Sequence, residues 1–308
     1  MDNLTHSLIG AVLGQAGLKR KSGLAMPALI LAANLPDIDA PCALYGIESL
    51  AMRRGLSHGP LALLILPPLL AGLLVLFDRW QAKRGKRPEA RPAVNFGWLV
   101  ALCYIGALTH PAFDWLNNYG IRLLEPFSHQ WFYGDALFIV DPWMLAMLGA
   151  GVWLSLRRER AGLARWTRPA RAAIGGVLAY VALNLGISHA AVTRVESDAP
   201  YPQVAVASAV PLAFWHREVL IRTGDGRYGT IPCGISACER YPLTLRKTHM
   251  DDARIAEWAK GDPAAEAFLF WSRMPVAMPA KVSIMVEDQR FPSAMVRGNF
   301  SVELKPGK

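Results

Sequence analysis

Four long apolar runs, Leu61–Phe77, Phe96–Leu108, Pro142–Leu156 and Ala172–Ala191, dominate the first two thirds of this chain. In hydrocarbon every backbone N–H and C=O must be satisfied within the segment itself, so runs of this kind are committed to helices. Leu4–Leu18 and Leu24–Leu35 are shorter and rich in Gly and Ala. They read as a helical hairpin packed against the longer helices, because small residues let backbones approach closely in a membrane. The expected architecture is an α-helical polytopic membrane domain of about six helices, the first two short, over residues 1–195.

The 308-residue chain is 53% hydrophobic with a mean hydropathy of +0.22, but its texture changes after about residue 191. Gln203–Val210, Glu218–Thr223, Lys281–Glu287 and Met295–Leu304 alternate or carry β-branched residues and read as strands. Gly224-Asp225-Gly226 is a turn signal, and Asp251–Lys260 and Ala264–Trp271 read as short helices. Residues 196–308 are therefore expected to form a small soluble α/β or mostly-β domain.

A net charge of +9 invites a nucleic-acid reading, but its distribution excludes one. Lys19–Lys21, Arg79–Arg91 and Arg157–Arg171 hold 15 of the 33 basic residues, all in short loops between apolar runs. These are the anchors of cytoplasmic loops. With the Lys19–Lys21 turn in the cytoplasm, basic loops alternate with poorly charged ones along the chain. Residues 36–59 carry only Arg53 and Arg54, and residues 116–141 only Arg122. The C-terminal domain then falls outside an inner membrane. No cleaved leader is expected, since no basic region precedes a first apolar stretch that already carries His6 and Gln15. Cys42 and Cys103 look isolated. Cys233 and Cys238 lie close enough in sequence for a disulfide in an extracytoplasmic tail, a pairing the sequence leaves open.

In this topology the histidines and carboxylates of the first half gather at one membrane face, opposite the basic loops. His110 and Asp114 stand four residues apart, one above the other on a helix face, and can share one cation. Pro111 between them points to a kink or break. Asp37 and Asp39 follow Pro36 and read as two carboxylates converging on a cation, or as a helix-ending turn. His58 begins the third apolar run, and His6 lies one turn into the first helix. Ionisable groups near lipid are costly and tend to be paired or functional. His6, Asp37, Asp39, His58, His110 and Asp114 are thus the candidate ligands of one or two divalent ions. Mixed His/Asp ligation suits zinc first, with manganese or iron as alternatives. Arg53 and Arg54 are candidate clamps for an anionic group. His129, Asp135 and Asp141 are candidates for a supporting or substrate-contacting role, Asp141 reading equally as the cap of the helix that Pro142 opens. His189, His216 and His249 read as interfacial or surface residues, and Trp98, Trp115, Trp131, Trp143 and Trp153 as membrane-interface aromatics.

Four motifs, in this order, carry a family resemblance: Asn3-Leu4-Thr5-His6, Asn34-Leu35-Pro36-Asp37-Ile38-Asp39, Arg54-Gly55-Leu56-Ser57-His58 and Leu108-Thr109-His110-Pro111-Ala112-Phe113-Asp114. Over about residues 1–150 the chain resembles the bacterial inner-membrane proteins called predicted membrane-bound metal-dependent hydrolases. That family is similar in motif order to the zinc-dependent phospholipase C and single-strand nuclease superfamily, helical enzymes that cleave phosphoesters. The resemblance implies ligands at His6, at Asp37 or Asp39, and at His58, His110 and Asp114, with Asp114 as a bridging carboxylate. The chain departs from that superfamily in two ways. Its N-terminus looks unprocessed, where those enzymes use a processed N-terminal residue as a ligand. No clean match to the ligands of a third ion follows Asp114.

The expected function is a membrane-bound metal-dependent hydrolase with a metal-activated water as nucleophile. Its substrate is a phosphoester of a lipid or lipid-linked molecule at the periplasmic face, and membrane lipid is the expected partner. The alternative class is a non-catalytic membrane protein with a structural metal site and a partner-binding tail.

Overall fold

A computed structural model describes residues 1–198, 202–239, 244–291 and 297–306. The chain forms two compact units, Met1–Ile38 with Arg54–Asn184, and Asp39–Arg53 with Leu185–Lys308.

The first unit is helical. Helix α1 spans Asn3–Gln15, where the Asp2 carboxylate caps it by accepting from Thr5 N. Helix α2 spans Ala25–Ala33. It runs into a 3-10 segment, Leu35–Glu48, which leads into the second unit and the four-residue α3, Ser49–Met52. Helix α4, Pro60–Lys83, opens on a proline, whose missing N–H is harmless in a first turn. Helix α5, Phe96–Trp115, is capped by Asn95 through Trp98 N. Helix α6, Pro142–Arg160, is capped by Asp141 through Met144 N. Helix α7, Arg168–Asp198, carries its last turns into the second unit.

Among the described residues three helices are long and apolar enough to cross a membrane: α4, α5 and α7 through Ser197. Helices α1 and α2, at 13 and 9 residues, fall short of the ~20 residues that a span requires. The last turn of α6 carries Arg157, Arg158 and Arg160. The expected count of about six thus narrows to three candidate spans in a helical N-terminal region. Leu61, Ile65, Leu69, Leu73 and Leu76 form an exposed stripe along α4, the face such a helix turns to lipid.

Helix α2 packs against its neighbours through small residues. Ala28 and Ala32 meet Leu99, Cys103 and Ala107 of α5 and Ala71 and Leu74 of α4. A Cβ on Gly106 would lie 2.8 Å from both Ala32 Cβ and Leu29 O, so α5 crosses α2 at a distance only glycine admits. That approach brings His110, one turn further along α5, beside the end of α2.

The second unit is mostly β. Strands β1 (Pro202–Ala209), β2 (Arg217–Thr223), β3 (Arg227–Cys233) and β4 (Arg246–Lys247) form an antiparallel sheet in that order. The Gly224-Asp225-Gly226 turn joins β2 to β3 as its composition predicts. Strands β5 (Pro275–Pro279), β6 (Ile284–Asp288) and β7 (Ser301–Leu304) form a second antiparallel sheet. Helices α8 (Ala253–Ala259) and α9 (Pro263–Trp271) precede it. The start of the expected Met295–Leu304 strand lies outside the described residues, and Arg297–Asn299 form a 3-10 turn before β7. Cys233 and Cys238 form a disulfide.

Candidate metal centre

Five of the six expected ligands converge in the first unit. His6 comes from α1, Asp37 from the 3-10 segment after α2, and His58 from a 3-10 turn, Leu56–His58, before α4. His110 and Asp114 come from the end of α5. All five are buried, the three histidines completely. His58 Nε2 and His110 Nε2 face each other at 3.2 Å. Asp37 Oδ1 lies 3.9 Å from the first and 3.6 Å from the second. Asp114 Oδ2 lies 3.6 Å and 3.5 Å from the same two atoms. Tetrahedral donors around zinc, bonded at about 2.0–2.1 Å, stand about 3.3–3.4 Å apart. His58 Nε2, His110 Nε2 and Asp37 Oδ1 thus make a three-atom cradle somewhat wider than that, and Asp114 Oδ2 stands at similar range from the two histidines.

The other oxygen of Asp114 looks toward α1. His6 Nε2 is 3.3 Å from Asp114 Oδ1, and the His6 ring stacks on His110 at a centroid distance of 3.8 Å. Neither ring nitrogen of His6 makes a hydrogen bond. A buried imidazole without a hydrogen-bond partner is rare and calls for an explanation such as a bound ion. His6, His110 and Asp114 form one compact group able to hold a metal, and Asp37, His58 and His110 form another. The two groups share His110, and Asp114 presents one oxygen to each side.

The ligand atoms are oriented by their surroundings. His110 Nδ1 lies 2.7 Å from the Ala33 carbonyl. A carbonyl only accepts, so Nδ1 carries the proton and Nε2 turns its lone pair to the cradle. Ser57 Oγ lies 2.9 Å from His58 Nδ1. Arg54 is buried, with Nε 3.1 Å from Asp114 Oδ2, and it donates to Asn117 Oδ1 at 3.0 Å and stacks over Tyr119. Its backbone is left-handed, with φ of 54°. Arg53, whose guanidinium Nε lies 3.9 Å from Asp39, belongs to the second unit.

Asp39 is the departure. It joins neither group and belongs to the second unit with Arg53. In a 3-10 helix each residue turns about 120°, so positions two apart face different ways, and Asp37 and Asp39 cannot converge as an extended pair would. His129 also lies apart from these groups. Its ring is 71% exposed, and its Nδ1 meets Glu125 Oε1 at 2.8 Å, beside Arg122. Asp141 is occupied as the α6 cap, and its other oxygen accepts from Tyr180 at 3.0 Å. Asp135 sits at a left-handed position, φ 50°, in the loop after α5.

Several neighbours of the centre escape a reading of sequence. The Met1 amino group lies against Asp114 Oδ1. The Ala33 carbonyl is a backbone group and leaves no side-chain signal. Asn117, just past the end of α5, bonds both Arg54 and Tyr119 N. Its spacing from Asp114 was the one available clue.

Comparisons with curated proteins and with solved structures return no match. A family model described as YdjM inner membrane protein matches residues 1–194, the segment that carries all five converging residues. The chain belongs to the YdjM inner membrane protein family.

Proposed function

We propose that this protein is a membrane-bound metal-dependent hydrolase acting on a phosphoester of a lipid or lipid-linked molecule at the periplasmic face. The observation that carries the reading is the convergence of three imidazoles and two carboxylates in two overlapping groups able to hold a metal, with one of the three, His6, making no hydrogen bond. The donor set fits one or two divalent ions, zinc foremost. When bound, such an ion supplies a Lewis acid for a phosphoryl oxygen and for the attacking water.

The chain's own residues define the rest. Ala33 O fixes the tautomer of His110, and the Ser57 hydroxyl sits at the outer nitrogen of His58. Arg54 steadies Asp114, a carboxylate that would hold an ion. The periplasmic assignment rests on the basic loops at the opposite ends of the helices. It is supported by the Cys233–Cys238 disulfide, which suits an oxidising compartment.

The test is turnover. Detergent-purified protein is presented with phosphatidic acid, phosphatidylglycerol and a soluble phosphodiester. The proposal expects phosphoester release that stops with chelator and returns with zinc. Zinc retained at the centre without turnover of any of these would instead indicate a structural metal.

A further inference from the structure

A small apolar cleft adjoins the centre, and nothing in the metal chemistry uses it. It has a volume of about 150 Å³ and lies among α1, α5, α6 and α7 of the first unit. Ile9, Val12, Thr109, Phe113, Leu148 and Val177 form most of its wall. Ile9 is one turn along α1 from His6. Thr109 and Phe113 immediately precede His110 and Asp114 on α5, so the cleft wall and the ligands occupy neighbouring faces of one helix. Leu178 also lines the cleft and is 60% exposed, which places an opening at the outer surface of α7. Helices α5 and α7 are both candidate membrane spans, so an opening at their surface meets hydrocarbon. Water gains nothing in such a space, whereas apolar cavities of this size hold small hydrocarbons.

We propose that this cleft seats a short segment of one acyl chain of a membrane phospholipid whose phosphoester reaches the His/Asp centre. The proposal rests on the hydrolase reading for the headgroup but on the cleft alone for the chain. Two features favour an acyl chain over a protein helix or a soluble ligand. A space of about 150 Å³ is too small for a helix, which is about 10 Å across. Its lining offers no charged group and only one hydroxyl, and the Thr109 hydroxyl is already bonded to Gly106 O at 2.6 Å.

The experiment uses the full chain in nanodiscs of phosphatidylethanolamine and phosphatidylglycerol, doped with phosphatidic acid bearing a diazirine on one acyl chain within a few carbons of its ester. After illumination, labelled peptides are mapped by mass spectrometry. The proposal expects label concentrated on the segments 9–13 and 174–178, well above the lipid-facing stripe of α4. Val177→Trp, which fills the cleft, is expected to lower that label ~10-fold or more, as befits displacement of two or more buried methylenes. Leu178→Trp, at the exposed mouth, is a second obstruction that leaves the core packing intact. Zinc content is measured in every sample. Label spread evenly over α4 and α7, and unchanged by both tryptophans in protein that keeps its zinc, overturns the acyl-chain proposal while leaving the metal centre standing. Cleft labelling that persists in a His110→Ala protein lacking zinc supports the cleft and separates its fate from that of the metal reading.

Discussion

Two buried polar clusters in this molecule are built on opposite plans. In the second unit, Asp288 and Arg290 are both buried, and their charges close on each other. Asp288 accepts from Arg290 Nε at 2.8 Å, from Ser272 Oγ at 2.5 Å and from Met274 N at 3.2 Å, while Arg290 stacks over Trp271. In the first unit, His6, Asp37, His58, His110 and Asp114 converge as two overlapping groups able to hold a metal, and His6 makes no hydrogen bond. A self-satisfied ion pair needs no further partner. At the other cluster the Met1 amino group and Arg54 meet the Asp114 carboxylate, yet both ring nitrogens of His6 stay buried without a hydrogen bond. The comparison teaches that burial of charge does not mark a site. A buried imidazole with neither nitrogen hydrogen-bonded, as at His6, does.

The largest way to break the contrast is to remove a central ligand. His110→Ala takes a donor from both groups at once and is expected to lower zinc affinity by more than about 100-fold, beyond the 10–100-fold typical of supporting residues. Competition with a chelating dye reads this directly, and wild-type affinity would count heavily against the centre. The matching change in the second unit is Arg290→Ala, which leaves the Asp288 charge buried and uncompensated. It should cost about 3–5 kcal/mol in denaturant unfolding and leave zinc content untouched.

Arg54→Ala sharpens the comparison at the edge of the centre. It releases Asp114 and Asn117 and is expected to weaken zinc binding about 10–100-fold without removing a ligand. Acid offers a gentler probe of the second cluster. Burial pushes the Asp288 carboxyl up, but the Arg290 guanidinium and the Ser272 hydroxyl outweigh it and hold it below the ordinary carboxylate range. A lowered folded-state pKa adds stability that is full above the unfolded value near ~3.9 and is lost as pH falls through the folded value. Melting followed from pH 7 downward should steepen below about pH 4. Asp288→Asn should flatten that descent, and an unchanged profile would remove Asp288 as its source. The smallest effect belongs to Asp39→Asn. Zinc binding is expected to be unchanged, and a marked loss would return Asp39 to the ligand set.

Much of the helical region was legible because its signals are local. Apolar runs located α4, α5, α6 and α7, and four-residue spacing put His110 and Asp114 on one face. Sequence leaves open how the chain winds after Pro36; it winds as a 3-10 helix, which turns Asp37 and Asp39 different ways. Sequence gives Arg53 and Arg54 the same candidate role, whereas the structure pairs Arg54 with Asp114 and Arg53 with Asp39. The Ala33 carbonyl that orients His110 depends on the crossing of α2 and α5 at Gly106, a tertiary event with no short-range trace. In the second unit β3 and β5 were harder to read. Pro232 interrupts the first and prolines bound the second, and proline argues against a strand unless its N–H is not needed for pairing.

The most direct test of the central claim is metal stoichiometry with coordination. The full chain, purified in detergent, stripped with chelator and reloaded with zinc, is measured by elemental mass spectrometry and zinc-edge X-ray absorption. The account predicts one or two tightly held ions per chain in a shell of imidazole nitrogen and carboxylate oxygen, lost in His110→Ala. A wild-type protein that retains no zinc, manganese or iron after reloading would contradict it.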